Sequence, residues 1–134
     1  MTLVLDASAT GALILADEAH PIADLLRERM LRERVMVPWL WWFDIRNILL
    51  NGERRRRFGP VQTAAALAML SDAPIERDAA PSEPGILTFA RRHRLTFYDA
   101  AYLELAHRQG ATLAALDRAL IAAARAEAIP LLGA

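Results

Sequence analysis

The chain contains no cysteine and no lysine among its 134 residues. Without cysteine there is no disulfide, no thiolate nucleophile and no cysteine-ligated zinc or iron-sulfur site. Without lysine there is no Walker A phosphate-binding lysine, no Schiff base, and no lysine that neutralises a phosphoaspartate. These two absences exclude several large classes of enzyme before any motif is considered.

Net charge and long apolar runs are also lacking. The formal net charge is zero and all 16 cationic side chains are arginine, so any polyanion must be met by local arginines or by a bound metal. No apolar run is long enough to cross a bilayer. The N-terminal residues lack the basic start of a secretory signal and place Asp6 within their apolar stretch. We therefore expect a cytoplasmic protein with no membrane partner.

The apolar pattern predicts a single domain over residues 1–134. Hydrophobic residues make up 54% of the chain, and short apolar strands at residues 3–5, 35–37 and 112–116 alternate with helices. A weak edge strand begins at Ile75, and a last short strand is expected at residues 129–132. This alternation predicts an α/β fold in which helices cover both faces of a mostly parallel sheet of about four or five strands.

Local signals also predict where some helices begin and end. Ser8 is expected to cap the first helix, which runs through Leu15. The dipeptide at residues 51–52, Asn-Gly, predicts a turn between a helix at residues 39–50 and another that starts at Pro60.

Aspartates follow the two strongest apolar strands. In open α/β sheets ligands bind beyond the carboxyl ends of the strands, and Asp6 and Asp117 are expected together on that rim. Asp99 lies in the first turn of a helix that Thr96 can cap, where the helix dipole favours an anion. Each of the three aspartates, taken alone, also fits a purely structural role as a helix cap or dipole partner.

Asp44 makes a functional explanation stronger. It shares a helix face with Leu40, Trp41 and Ile48, and a carboxylate half-buried there needs a cation or hydrogen-bond donors. Asn47, one turn along, can orient it; a structural salt bridge to an arginine is the alternative explanation. Several converging carboxylates in a chain without lysine favour hard divalent cations, which prefer oxygen ligands.

Four segments resemble the motifs of the PIN-domain family, in its order and spacing. They are LVLDAS at residues 3–8, VPWLWWFDIRNIL at 37–49, LTFYDAAY at 95–102 and LDRAL at 116–120. The likeness covers nearly the whole chain, and the compact size resembles VapC toxins. The resemblance implies a three-layer α/β/α PIN-like fold, endoribonuclease activity dependent on Mg²⁺ or Mn²⁺, homodimers, and a VapB-type antitoxin that blocks the site.

The resemblance also implies roles for individual residues. The metal-binding and catalytic set is Asp6, Asp44, Asp99 and Asp117, holding one or two ions that activate water for attack on the RNA phosphate. The supporting set is Ser8, Asn47 and Thr96. The chain departs from the family at two positions: Asp44 stands where glutamate is usual, and Ala115 stands where threonine or serine is frequent.

Arginines and tryptophans supply the remaining functional candidates. Arg91, Arg92 and Arg94 lie close in sequence to Asp99 and are candidates for RNA binding, whereas the arginine run at residues 54–57 reads better as a solvated loop. The three tryptophans at positions 39, 41 and 42 cannot all face one core, so at least one is expected in a dimer or antitoxin interface.

Two other functions stay open on the sequence alone. One is a PIN domain with impaired catalysis that binds protein or RNA, which the departures at Asp44 and Ala115 allow. The other is a phosphoaspartyl or receiver-like domain, which also places acids at strand ends but lacks its lysine here.

Overall fold

A computed structural model describes residues 1–15 and 20–133. In chain order the elements are β1 (Thr2–Leu5), α1 (Ala7–Ile14), α2 (Ile22–Met30), β2 (Arg34–Val37), α3 (Leu40–Arg54), α4 (Pro60–Asp72), β3 (Ile75–Arg77), α5 (Glu83–His93), α6 (Phe97–Gln109), β4 (Thr112–Ala114) and α7 (Arg118–Ala126). None of the described helices is both long and apolar enough to span a bilayer.

The four strands form one parallel sheet in the order β3-β2-β1-β4. Helices flank the sheet: α6 packs on β1 and against α5 and α7, while α1 packs against α2 and α3. Because both faces are covered, the central strand β1 is apolar and Leu3, Val4 and Leu5 have no exposed surface. The predicted three-layer α/β fold is confirmed. Since all strands run in one direction, they end on one common edge, the carboxyl edge of the sheet.

The predicted turn at Asn51 and Gly52 is wrong, because α3 continues through both residues to Arg54. The ring of Phe58 lies against Gly52 so closely that a Cβ at position 52 would overlap it. Glycine is therefore needed for close packing inside the helix rather than for a turn. The chain reverses later, at Arg56, whose φ of 58° is left-handed.

The C-terminal strands are shorter than predicted. β4 ends at Ala114, so Asp117 does not follow it directly, and the expected strand at residues 129–132 is reduced to a single bridge between Leu113 and Leu131. Proline at position 130 has no N–H to donate, and Leu113 and Leu132 make the backbone hydrogen bonds that remain there.

Candidate active site

Asp6 is a buried carboxylate at the end of the central strand. It caps α1, its Oδ1 accepting the N–H of Ala9 at 2.7 Å, so Ser8 is not the helix cap that the sequence predicted. The Ser8 hydroxyl instead lies 2.8 and 2.7 Å from the two Asp6 carboxylate oxygens and donates to them. Only 4% of Asp6 is exposed. These contacts fix the carboxylate in one orientation.

Ser8 also connects Asp6 to the segment that carries Asp117. Its Oγ accepts the N–H of Leu116 at 3.0 Å, beyond the point where β4 has ended. Asp117 caps α7 by accepting the N–H of Leu120 at 3.0 Å, and its side chain is exposed. A single hydroxyl therefore ties together the two strand ends that carry these aspartates.

Asp44 lies on α3 and meets α6 through Tyr102. The buried Tyr102 hydroxyl donates to Asp44 Oδ2 at 2.9 Å. Asp44 is half-buried, as the helix periodicity predicted, and no arginine of the described chain forms a salt bridge with it. The predicted partner Asn47 is exposed. Tyr102 orients Asp44 in this structure.

Asp99 approaches the same place from the first turn of α6. The Thr96 hydroxyl caps this helix by accepting the N–H of Asp99 at 3.1 Å. Tyr102 lies three residues after Asp99 and therefore on the same helix face. The face of α6 that carries Asp99 thus also holds the residue that binds Asp44.

The electrostatics show that these aspartates are neighbours. Burial raises the pKa of Asp6 to about 6, with smaller upward contributions from Asp117 and Asp99, against the lowering effect of its hydrogen bonds. Burial raises the pKa of Asp99 as well, followed by the charges of Asp117 and, more weakly, Asp44. The pKa of Asp44 is raised by burial. We call Asp6, Asp44, Asp99 and Asp117 the four-aspartate site.

The donor chemistry of the four-aspartate site fits a hard divalent cation. All four side chains offer carboxylate oxygen, and within residues 1–15 and 20–133 none of them pairs with an arginine or histidine. The same described residues contain no group of three or more acids or histidines close enough to ligate one ion directly. The arrangement therefore suits an ion that keeps some of its water, as Mg²⁺ commonly does.

The arginines predicted to bind RNA lie on α5 and just beyond its end. Arg92 forms a salt bridge with Glu127 at 2.7 Å, next to His93, which contacts the same carboxylate at 2.6 Å. Glu127 follows the C-terminal end of α7, whereas Asp117 lies at its N-terminal end. Arg91 and Arg94 are exposed. Glu127, the structural partner of Arg92, therefore lies about 13 Å along α7 from Asp117 and the four-aspartate site.

Sequence reasoning assigned no role to Tyr102. The contact to Asp44 joins residues 58 positions apart, which no local pattern reveals. A signal was nonetheless present, because Tyr102 is spaced from Asp99 so as to share its helix face. A buried tyrosine hydroxyl also needs a hydrogen-bond partner, which an acid on a facing helix can supply.

Comparison with known proteins finds similarity in sequence and in overall fold. The sequence profile described as the PIN domain matches residues 3–127. The crystal structure of PAE2754 from Pyrobaculum aerophilum is similar, with 29% identity, a TM-score of 0.67, and coverage of 92% of this chain and 87% of that one. The toxin VapC20 of Mycobacterium tuberculosis shares the fold at 17% identity, with a TM-score of 0.62 and coverage of 90% and 94%. No curated protein sequence matches the chain.

Proposed function

Because this chain belongs to the PIN domain family, we propose that it is a Mg²⁺- or Mn²⁺-dependent endoribonuclease. We further propose that it acts in the cytoplasm as the toxin of a VapBC-like toxin-antitoxin pair, with RNA as substrate and a VapB-like protein as its inhibitor. The structurally similar VapC20 is described as a toxin that cleaves the sarcin-ricin loop. That description supports the class of substrate, not the particular RNA.

One observation carries the proposal. Asp6, Asp44 and Asp99 come from separate parts of the chain, and burial raises the pKa of each, with the charge of Asp117 adding to the shifts of Asp6 and Asp99; none has a positively charged partner in the described residues. A fold stabilised only by packing has no reason to gather uncompensated negative charge, since each buried carboxylate lowers stability. Such clusters of perturbed acids are typical of sites that bind a cation or transfer protons.

The side chains have separable tasks in this proposal. A bound divalent cation supplies an activated water and stabilises the charge on the phosphate. Asp6 is held in place by Ala9 and Ser8, and Asp44 by Tyr102, so both carboxylates are oriented before any ligand arrives. Preorganised charge of this kind needs little rearrangement during the reaction. No serine or histidine nucleophile is required.

Expression in bacteria tests the toxin assignment. We expect the parent chain, expressed alone, to slow growth, and Asp99→Asn to relieve the inhibition because a ligand charge is lost without creating a cavity. Growth curves at matched protein levels are the measurement. Asp72→Asn, at the exposed end of α4, is the control and should inhibit growth like the parent. A folded Asp99→Asn variant as toxic as the parent would contradict the site assignment.

The outer face of α3 supports the proposal of a homodimer. Trp41 is buried and donates its indole N–H to Thr10 at 2.9 Å, whereas Trp39 is 62% and Phe43 59% exposed. Trp39 and Phe43 are one helical turn apart, so they form one apolar patch. We expect light scattering to report a dimer that Phe43→Ser weakens and that Leu31→Ser, at another exposed position, leaves intact. A parent monomer at micromolar concentration would remove this part of the proposal.

A PIN domain that only binds RNA or protein is the second candidate. The observation that favours it is the lack, among the described residues, of three ligands positioned around one point. RNA binding without cleavage at any Mg²⁺ or Mn²⁺ concentration would identify this function. Metal-dependent cleavage would exclude it.

A further inference from the structure

A polar cleft lies on the opposite flank of α3 from Asp44. Its volume is about 220 Å³, and it is bounded by α3, the end of α4 and β3. Its polar lining includes Arg46, Ser71 and Arg77, beside the Trp42 ring. Trp42 and Asp44 flank the buried stripe of α3, so the cleft and the four-aspartate site lie on either side of this helix.

The cleft gathers two positive charges. The Arg46 guanidinium lies over the Trp42 ring, 3.8 Å from its centre, and Nη1 donates to the Trp42 carbonyl oxygen at 3.1 Å. The pKa of Arg46 is lowered, first by burial and then by the charge of Arg77. Neither arginine forms a salt bridge with any residue of the described chain. Two adjacent like charges without a carboxylate leave a place for an external anion.

The position of the cleft relates it to the four-aspartate site. Arg77 is the last residue of β3, and Asp6 directly follows β1, so both lie at the carboxyl edge of the sheet. The strand order places β3 two strands from β1. Neighbouring strands are about 4.8 Å apart, which separates the two strand ends by roughly 10 Å. A single strand of RNA lying along this edge would meet the acids at one point and the arginines at another.

We infer that the cleft formed by Arg46, Ser71 and Arg77 binds a backbone phosphate of the RNA, next to the phosphate at the four-aspartate site. The inference rests on the proposed function. Guanidinium groups bind phosphate oxygens through paired hydrogen bonds, and the Ser71 hydroxyl adds a further donor. The cleft is smaller than ordinary ligand pockets, which begin near 300 Å³, so it suits a phosphate group better than a whole base or cofactor.

Salt-dependent RNA binding tests the inference. A single-stranded RNA oligonucleotide is titrated with the Asp99→Asn protein, which is used so that cleavage does not interfere, alone and with Arg46→Gln, Arg77→Gln or both. We expect each arginine substitution to weaken binding about tenfold. The plot of log affinity against log salt has a negative slope, and this slope should become shallower by about 0.7, the value for one lost phosphate contact on a single strand. The double variant should be little worse than either single one, because both arginines hold one phosphate.

The control is Arg125→Gln, which removes the same charge from an exposed position in the last turn of α7. It should leave affinity and slope unchanged. Inorganic phosphate, added as a competitor, should displace RNA from the Asp99→Asn protein more effectively than from the same protein carrying Arg77→Gln. If Arg46→Gln does not fold because it uncovers Trp42, the exposed Arg77 carries the test alone.

The outcomes separate this inference from the proposed function. The inference would be overturned if Arg77→Gln left RNA affinity unchanged, or if it lowered RNA affinity only as much as Arg125→Gln does. Either result would overturn it even if the parent cleaves RNA. Equal displacement of RNA by inorganic phosphate from the Asp99→Asn protein and from the same protein carrying Arg77→Gln would overturn it too. Weaker binding by the arginine variants would support it even if the parent cleaves nothing, in which case only the proposed catalysis fails.

Discussion

Replacing Asp6 with asparagine is expected to abolish RNA cleavage and, at the same time, to stabilise the metal-free protein above pH 6. The loss of activity follows from removing a charged ligand from the four-aspartate site. The gain in stability follows from removing a buried charge, since Asp6 is only 4% exposed and burial is the largest cause of its raised pKa. A substitution that merely damaged the fold would lower both quantities.

The pH at which this stabilisation develops follows from the direction of the shift. Asp6 has a pKa of about 6 in the folded protein, above its ordinary value of 3.8. Well below pH 3.8 the carboxyl is protonated in both the folded and unfolded states, so its ionisation costs nothing. Between pH 4 and 6 the unfolded chain loses the proton first, and the folded state becomes less stable by up to about 3 kcal/mol. Asparagine avoids this loss, apart from weaker hydrogen bonds to Ser8.

Urea unfolding of both proteins from pH 4 to 8, in a chelator, measures the effect. The variant and parent should differ least at pH 4 and most above pH 6. Asp117→Asn is the matched control, because Asp117 also caps a helix but is exposed, and it should show no comparable gain. Added Mn²⁺ should stabilise the parent but not Asp6→Asn, since only a ligand that binds the folded state raises stability. Equal stabilisation of both proteins by Mn²⁺ would contradict the role of Asp6.

Asp44→Asn is expected to lower Mn²⁺-dependent cleavage of single-stranded RNA at least about tenfold. Losses of about 10- to 100-fold are typical when a group that supports a metal site is removed. Aspartate is one methylene shorter than the glutamate usual in the family, so its carboxylate stops about 1.5 Å short on a fixed backbone. That gap is large against metal-ligand tolerances of about 0.2 Å. We expect a water to bridge the gap between Asp44 and a bound ion, in keeping with the lack of a direct three-ligand group among the described residues.

Asp44→Glu distinguishes a water bridge from direct ligation. If a water bridges Asp44 to the ion, the longer acid binds directly, and cleavage is retained or increased; if α3 already lies close enough, the extra methylene crowds the site and cleavage falls. We expect the first result.

Tyr102→Phe is the companion variant, because it removes only the hydroxyl that binds Asp44. If Asp44 merely satisfied that hydroxyl, Tyr102→Phe would lower cleavage as much as Asp44→Asn does. Cleavage by Asp44→Asn equal to the parent across a metal titration would leave Asp44 a structural residue.

The positions of the four aspartates could be predicted because each has a local signal. Asp6 and Asp117 follow apolar strands in the sequence, and Asp99 lies in the first turn of a capped helix. Asp44 interrupts an apolar helix face. These signals depend on helix and strand periodicity, which the sequence carries directly. That the four act together as a metal site remains a prediction.

Other features depend on contacts between distant parts of the chain. Ser8 is a residue type that helix N-caps prefer, yet Asp6 caps α1 in the structure. The Ser8 hydroxyl instead accepts a hydrogen bond from the N–H of Leu116, 108 positions away. The Asn-Gly pair at residues 51–52 is a strong turn signal, but the ring of Phe58 fills the space beside Gly52 and the helix continues. In both places tertiary packing overrides a local preference.

Cleavage of a labelled single-stranded RNA by the purified chain, measured across a Mn²⁺ titration that starts from a chelated sample, tests the central claim most directly. We predict no cleavage in chelator, cleavage that rises and saturates with Mn²⁺, and a rate at least about 100-fold lower for Asp99→Asn purified in parallel. Cleavage that persists in chelator, or equal rates for the parent and a folded Asp99→Asn variant, would contradict the account.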